Sequence, residues 1–238
     1  MGMAINNNHS SVMSKLKLDI VIVIDTSVGM GEEGLTQVLA SISSVFASVP
    51  VAQGEGEHSR VGVVTYAVKA QTKHNLRDFK SRDEMLEKIW EIGCSTEAAA
   101  NLRDALTKSS EIFNEGRANG ERTNAKTAIL VYASDHRSDT ANDGLELASE
   151  IKNNGTSIVV VGFDQGGRPH ALDKLKEIAS PGFFFTNTGE NVVTQIQQAL
   201  YTSELNTTTL RMQFHWRSPD PKSQGHSLMK FLYATRVF

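Results

Sequence analysis

The sequence predicts an α/β fold, a doubly wound, Rossmann-like and mostly parallel sheet with one antiparallel edge strand and helices on both faces. Apolar runs typical of strands alternate along the chain with segments whose apolar residues recur at helical spacing. The strand-like runs are rich in β-branched residues and almost continuous, as in strands that are covered on both faces. The connections between the two kinds of segment are short, which indicates parallel strands joined by helices.

The first half of the chain supplies the edge of this sheet. Residues 18–25 (LDIVIVID) read as a buried strand, and the apolar residues of 35–49 lie at helical spacing until Pro50 ends the helix. The strands predicted over 60–68 and 70–76 lie too close together for a crossover helix. They therefore form a hairpin, which places one antiparallel strand at the sheet edge.

The second half continues the alternation of strand and helix. Strands are predicted over 127–134, 157–163 and 182–186, and helices over 81–92, 102–113, 142–153, 171–179 and 192–200. The stop signal Asn153-Asn154-Gly155 ends the helix before the strand at 157. Ligands of such sheets bind outside the carboxyl ends of the strands, so the residues just after 25, 67, 134 and 163 are the candidates for function.

Composition limits the classes of function. The chain has 238 residues, a formal net charge of −3 and one cysteine, so no disulfide forms within it and no overall positive charge attracts nucleic acid. No apolar run approaches the roughly 20 residues of a transmembrane segment. Polar residues interrupt the N-terminus, which does not read as a signal peptide. We expect a flexible leader over 1–16, one domain over 17–203 and a C-terminal extension of uncertain structure over 204–238.

The extension at 204–238 is basic and aromatic. Over residues 205–238 its basic residues stand against one acid, Asp220, and aromatic residues lie between them. This combination is typical of surfaces that bind single-stranded nucleic acid. The run is short, contains SPDPKSQG and matches no recognisable module, so we expect a pair of short strands or a loosely ordered extension and no nucleic-acid partner.

Residues 20–36 (IVIVIDTSVGMGEEGLT) hold two overlapping signatures. Gly29, Gly31 and Gly34 spell the G-x-G-x-x-G of a dinucleotide site, and Asp25 and Ser27 spell D-x-S. The first glycine comes too late after the strand, and the acidic pair Glu32-Glu33 would repel a pyrophosphate. The glycines therefore shape a loop and start a helix, and Asp25 is the functional candidate.

Asp25, Ser27 and Asp135 are predicted to converge at the carboxyl edge of the sheet. Asp25 ends one central strand and Asp135 ends the neighbouring one, and a carboxylate at such a place needs a cation or backbone donors. Oxygen donors suit a hard cation such as Mg²⁺. The alternative is that both carboxylates order their own loops by accepting backbone N–H bonds, with Ser27 assisting.

At these residues the sequence resembles the von Willebrand factor type A (VWA) domain family. The resemblance runs from about Leu18 to Leu200 and rests on DIVIVIDTSVGM, SRVGVVTYA, AILVYASDHRSD and IVVVGFDQGG, in that order. EEGLTQVLASISSVF and IASPGFFFTNT resemble a secreted invertebrate branch whose A domain often neighbours a C-type lectin-like module. The resemblance implies an extracellular adhesion module without enzymatic activity.

The resemblance also implies a metal-ion-dependent adhesion site (MIDAS) that holds Mg²⁺ or Mn²⁺ and is completed by a partner's acidic side chain. Asp25, Ser27 and Asp135 match three of its ligands. The second serine position is Gly29, which has no side-chain oxygen, and the threonine position falls on Ala100 unless a shifted loop lets Ser95 or Thr96 serve. The site is therefore incomplete.

Other chemistry at this edge is less well supported. Ser27, Asp135 and His136 suggest a hydrolase, but a nucleophilic serine needs a base within about 3 Å and a tight turn such as G-x-S-x-G, which the sequence lacks. Glu97 is a further carboxylate near the metal region, but we expect it to lie at a solvent-facing helix start, where the helix dipole favours a negative charge. Cys94 has no basic neighbour to activate it.

We therefore predict a binding module that recognises a protein ligand through a top face formed by the loops at 25–34, 93–101 and 135–143. Asp25, Ser27 and Asp135 would hold the cation, with Ser95 and Thr96 as doubtful additions. Thr26, Gly29, Glu97 and His136 would contact the ligand. The alternative is a metal-free intracellular scaffolding domain.

Overall fold

The computed structural model describes residues 15–118, 122–134, 144–163 and 172–205. Its strands are β1 (Leu18–Asp25), β2 (Arg60–Tyr66), β3 (Ala70–His74), β4 (Lys126–Ala133), β5 (Ser157–Gly162) and β6 (Phe184–Thr186). Its helices are α1 (Gly31–Phe46), α2 (Arg82–Ile89), α3 (Leu102–Arg117), α4 (Leu145–Asn153), α5 (Asp173–Ile178) and α6 (Val192–Leu205). The strands form one sheet in the order β3-β2-β1-β4-β5-β6.

The sheet is parallel except for its β2–β3 hairpin, and β1 lies at its centre. Every residue of β1 is buried because helices cover both faces. Alternate side chains of a strand point to opposite faces. Ile20, Ile22 and Ile24 accordingly belong to the core beneath α1 and α6, whereas Val21 and Val23 belong to the core beneath α3 and α4.

The predicted fold class is confirmed, including the antiparallel edge strand. The first helix ends at Phe46 rather than running to Pro50, because the chain tightens there into turns. The Ala47 N–H bonds the Ser44 carbonyl and the Val49 N–H bonds the Phe46 carbonyl, a three-residue spacing in both cases. The last strand is shorter than predicted, with three residues. None of the described helices has the length and apolar character needed to cross a membrane.

Candidate functional site

Asp25 is the last residue of β1, and its side chain is fully buried at the carboxyl edge of the sheet. One carboxylate oxygen, Oδ1, accepts a hydrogen bond from the Ser27 backbone N–H at 2.9 Å. The other, Oδ2, accepts two from Ser134, one from its backbone N–H at 3.1 Å and one from its hydroxyl at 2.6 Å. Three uncharged donors therefore stabilise a buried negative charge.

The loop after Asp25 turns directly into α1. The Ser27 carbonyl accepts from the Met30 N–H at 2.9 Å and from the Gly31 N–H at 3.4 Å. Gly31 has a φ of +64°, a conformation that glycine adopts without strain, and it is the first residue of the helix. The prediction that these glycines shape a loop and start a helix is confirmed.

Residues 93–97 are bonded to this loop and enclose it from the side of β2. The Thr26 N–H donates to the Tyr66 carbonyl at 2.9 Å, and the Thr26 carbonyl accepts from the Ser95 N–H at 2.7 Å. The Ser95 hydroxyl accepts from the Glu97 N–H at 3.1 Å, so this side chain stabilises its own loop. Thr96 is exposed.

Glu97 occupies a different place from the one predicted. The expectation of a helix start was wrong, because α3 begins at Leu102 and is capped by Asn101, whose side chain accepts from the Asp104 N–H. The Glu97 carboxylate instead accepts from the Val68 N–H at 3.0 Å, and its carbonyl accepts from the Val28 N–H at 2.9 Å. Glu97 thus joins the loop after β1 to the β2–β3 turn.

Gly29 lies against Ser134. A Cβ atom at position 29 would lie 3.1 Å from the Ser134 Oγ and 3.4 Å from the Ser27 Oγ. The first of these distances is tighter than nine in ten real Cβ contacts, so the Ser134 hydroxyl would have to move by a few tenths of an ångström. Glycine at this position therefore leaves room for the hydroxyl that bonds Asp25.

The buried Asp25 charge affects the titration of its neighbours. Burial first, and then the charge of Asp25, raises the pKa of Tyr66 well above its usual value. Burial also raises the pKa of the Cys94 thiol, and the carboxylates of Glu32 and Asp25 add to the effect. Cys94 is therefore held in its unreactive thiol form, as the sequence predicted.

The donor set suits a hard cation in type, because Asp25 and Ser27 both offer oxygen atoms. A carboxylate has about four acceptor positions, and the described contacts of Asp25 use three of them. Asp135 and His136, the other residues predicted at this edge, lie outside the described residues. Within the described ranges, no group of three or more His, Cys, Asp or Glu could hold a metal ion.

Ser134 is the site residue that the sequence analysis missed. It contributes both the backbone donor and the shortest hydrogen bond to Asp25. Its position directly before Asp135, at the end of a central strand, was the available signal.

Comparison with known proteins decides the family. The family model for the von Willebrand factor type A domain matches residues 19–199. The chain belongs to this family. A C-type lectin domain-containing protein 160 of Caenorhabditis elegans is 29% identical over 199 residues. Collagen alpha-6(VI) of Homo sapiens is 25% identical over 168 residues, and matrilin-2 of Mus musculus is 26% identical over 166 residues.

These matches concern one part of longer proteins. They cover 80%, 70% and 68% of this VWA chain but only 30%, 7% and 16% of the three relatives. Two solved structures share the fold. Proximal thread matrix protein 1 of the mussel byssus, with a zinc-occupied MIDAS motif, has a TM-score of 0.59 at 16% identity, over 79% of this chain and 46% of its own. Manganese-loaded Plasmodium vivax TRAP protein has a TM-score of 0.63 at 17% identity, over 78% of this chain and 74% of its own.

Proposed function

We propose that this VWA domain is a binding module that recognises a protein through its top face. The observation that carries the proposal is the exposure of two apolar side chains, one in the first loop of this face and one in the adjoining β2–β3 turn. Val28 is 57% and Val68 is 45% exposed, and the backbone N–H of each is bonded to Glu97. Apolar side chains presented on a rigid backbone lose little entropy on binding, which favours their use as contact residues. The proposal includes no catalytic activity.

The proposal assigns a divalent cation, Mg²⁺ or Mn²⁺, to Asp25 and Ser27 together with Asp135. When bound, such an ion would supply a positive charge to which an acidic side chain of the partner binds. Support comes from the oxygen donors at the end of β1, from the zinc-occupied MIDAS motif named for one protein of the same fold and from the manganese named for another. Ser95 is a weaker additional ligand than the sequence suggested, because its hydroxyl already accepts from Glu97.

A metal-free scaffold is the second candidate, and one contact favours it. The Ser134 hydroxyl donates to Asp25 at 2.6 Å and lies where a side chain at position 29 would need space. Internal donors alone thus satisfy much of the Asp25 carboxylate. In this form the top face would bind its partner by shape and hydrogen bonding, without a cation.

Thermal unfolding in Mg²⁺, Mn²⁺ or EDTA separates the two candidates. Binding to the folded state alone stabilises it by about 2.7 kcal/mol when the free ion is at 100 times its Kd. We expect a rise in Tm with either ion for the unaltered chain and none for Asp25→Ala. Asp78→Asn, a change at a half-exposed surface carboxylate, is the control that should keep the rise. If millimolar Mg²⁺ or Mn²⁺ left the Tm of the unaltered chain unchanged, the cation-dependent candidate would be excluded and the metal-free scaffold would remain.

Site-specific photo-crosslinking tests protein recognition itself. A photoreactive amino acid at position 28 should capture a partner from the medium or extract of source tissue, and excess unlabelled domain should compete. The same group at position 153, which is exposed at the end of α4 on the opposite edge of the sheet, is the matched control. Equal capture from positions 28 and 153 would contradict binding through the top face. So would competition by a domain carrying both Val28→Asp and Val68→Asp, if it reduced capture as well as the unaltered domain does.

A further inference from the structure

A second feature of the same edge is a pocket of about 340 Å³ beside β3, which we call the basic pocket. One wall is formed by residues of the β2–β3 hairpin, among them Lys69, Gln71 and Lys73. The opposite wall is formed by residue 88, near the end of the short helix α2, and by residues 91–95 and 97, which follow that helix. Thr26 also lines the pocket, so it adjoins the loop that follows Asp25.

Three lysines line the basic pocket, against two glutamates. Both glutamates have partners, because Glu91 pairs with Lys88 at 2.8 Å and Glu97 accepts from the Val68 N–H. Lys69 and Lys73 have no carboxylate partner within the described part of the chain, and the Lys73 ammonium group donates only to the Gln71 side chain, at 2.9 Å. Three lysines against two glutamates leave the lining with a net positive charge, and Lys69 and Lys73 are its two cations without a carboxylate partner among the described residues.

The lining of the pocket brings these two charges to one wall. Lys69 lies in the turn before β3, and Lys73 lies where the β2–β3 pairing shifts register between Val63 and Val64. β3 is the outermost strand, and its residues 71–73 are exposed. Because Lys69 and Lys73 are four residues apart in an extended hairpin arm, their ammonium groups line different parts of the pocket rather than one point.

We propose that the basic pocket binds an acidic, extended segment of the partner polypeptide, with its carboxylates on Lys69 and Lys73. The inference rests on the proposed function, because it places the partner's acidic side chains beside the same top face. It differs from a metal-mediated contact because the receiving charges are lysines. Val68, which is exposed in the β2–β3 turn and whose N–H is bonded to Glu97, packs against an apolar side chain of the same segment.

Edge lysines have a second possible role, which the experiment must separate. Charged side chains on an outer strand prevent other strands from pairing with it. A purely protective role requires only exposure to solvent and predicts no preference between acidic and uncharged peptides. A binding role predicts such a preference, and it predicts that the preference weakens with salt.

The test is fluorescence anisotropy with labelled hexaglutamate, hexaglutamine and hexalysine peptides, in buffer containing EDTA. We expect hexaglutamate alone to bind, and its binding to weaken as NaCl rises from about 50 mM to about 300 mM. Lys69→Gln with Lys73→Gln should weaken it by about tenfold or more. The matched control is Lys174→Gln with Lys176→Gln, two exposed lysines of α5, which should change affinity less than about twofold.

The proposed role of the basic pocket would be overturned if hexaglutamate did not bind, or if the two double variants lost affinity for it equally. Circular dichroism and Tm confirm that each variant is folded, and the changed side chains are exposed, so folding should be unaffected. Crosslinking from position 28 reports on the top face independently. Crosslinking from position 28 but not from 153, without hexaglutamate binding, would overturn only the proposed role of the basic pocket. Peptide binding without such capture would overturn the proposed use of the top face instead.

Discussion

Serine at position 29 would restore the side-chain oxygen that the family motif carries there, yet we expect Gly29→Ser to destabilise the domain. The new Cβ would lie 3.1 Å from the Ser134 Oγ, so that hydroxyl must shift by a few tenths of an ångström. The shift stretches its 2.6 Å hydrogen bond to the buried Asp25 carboxylate. The backbone of Gly29 does not have a positive φ, so crowding rather than backbone strain causes the loss.

The expected energies follow from these contacts. A hydrogen bond to a charged group contributes about 1.5–3 kcal/mol, so Ser134→Ala should lower the free energy of unfolding by that amount. Overpacking costs about 1–3 kcal/mol, and the small displacement places Gly29→Ser near the lower end. In the double variant the crowded hydroxyl is absent, so the second change should cost almost nothing more. The interaction energy of the pair is therefore about 1 kcal/mol.

Urea unfolding of the four proteins in the double-mutant cycle measures this interaction energy directly. Each kcal/mol also corresponds to a Tm shift of about 2–4 °C in a domain of this size. Energies that add to within about 0.5 kcal/mol would refute the contact between positions 29 and 134. Gly29→Ala separates the effect of the Cβ from that of the new hydroxyl, and it should cost about as much as serine.

Three further predictions concern other groups. Arg60→Leu removes the nearer of the two guanidinium groups that pair with the buried Asp19 in the described part of the chain and leaves Arg122, at 3.4 Å. Urea unfolding should show that the free energy of unfolding falls by about 3 kcal/mol, and a fall below about 1 kcal/mol would contradict this. Iodoacetamide should alkylate Cys94 more slowly than a small free thiol at about pH 7.5, because burial and nearby carboxylates raise its pKa; an equal rate would contradict this. Burial raises the pKa of Glu204, so the folded state holds its proton more tightly and loses stability as pH rises through the acidic range. Glu204→Gln should therefore raise Tm slightly at neutral pH and not below pH 4, and a Tm difference independent of pH would refute this.

The sequence contained most of the fold because strand and helix patterns are local. The β-branched run of β1 and the helical spacing of α1 each identify an element from a few consecutive residues. The closeness of two strands identified the antiparallel hairpin in the same way. The domain limits at 17 and 203 and the nature of the extension stay predictions.

The candidate site was less predictable because its contacts join distant segments. Asp25 and Ser134 are 109 residues apart, and no local pattern shows which donor meets the carboxylate. The role of Glu97 depends on two loops that come together only in the folded sheet. The sequence indicated which residue types gather at the carboxyl edge, but not which of them bond to one another.

One contact at the opposite edge of the sheet has a consequence for how the domain is tethered. The Lys17 N–H donates to the Glu204 carboxylate at 3.1 Å, so the segment leading into β1 and the end of α6 lie side by side. A tether attached at either end would hold the domain by its base and leave the top face, through which we propose that it binds, pointing away from the anchor. Tension applied between the two ends would act first on this hydrogen bond and on α6, which shares a core with Leu16 and Leu18, before it shears the central strands.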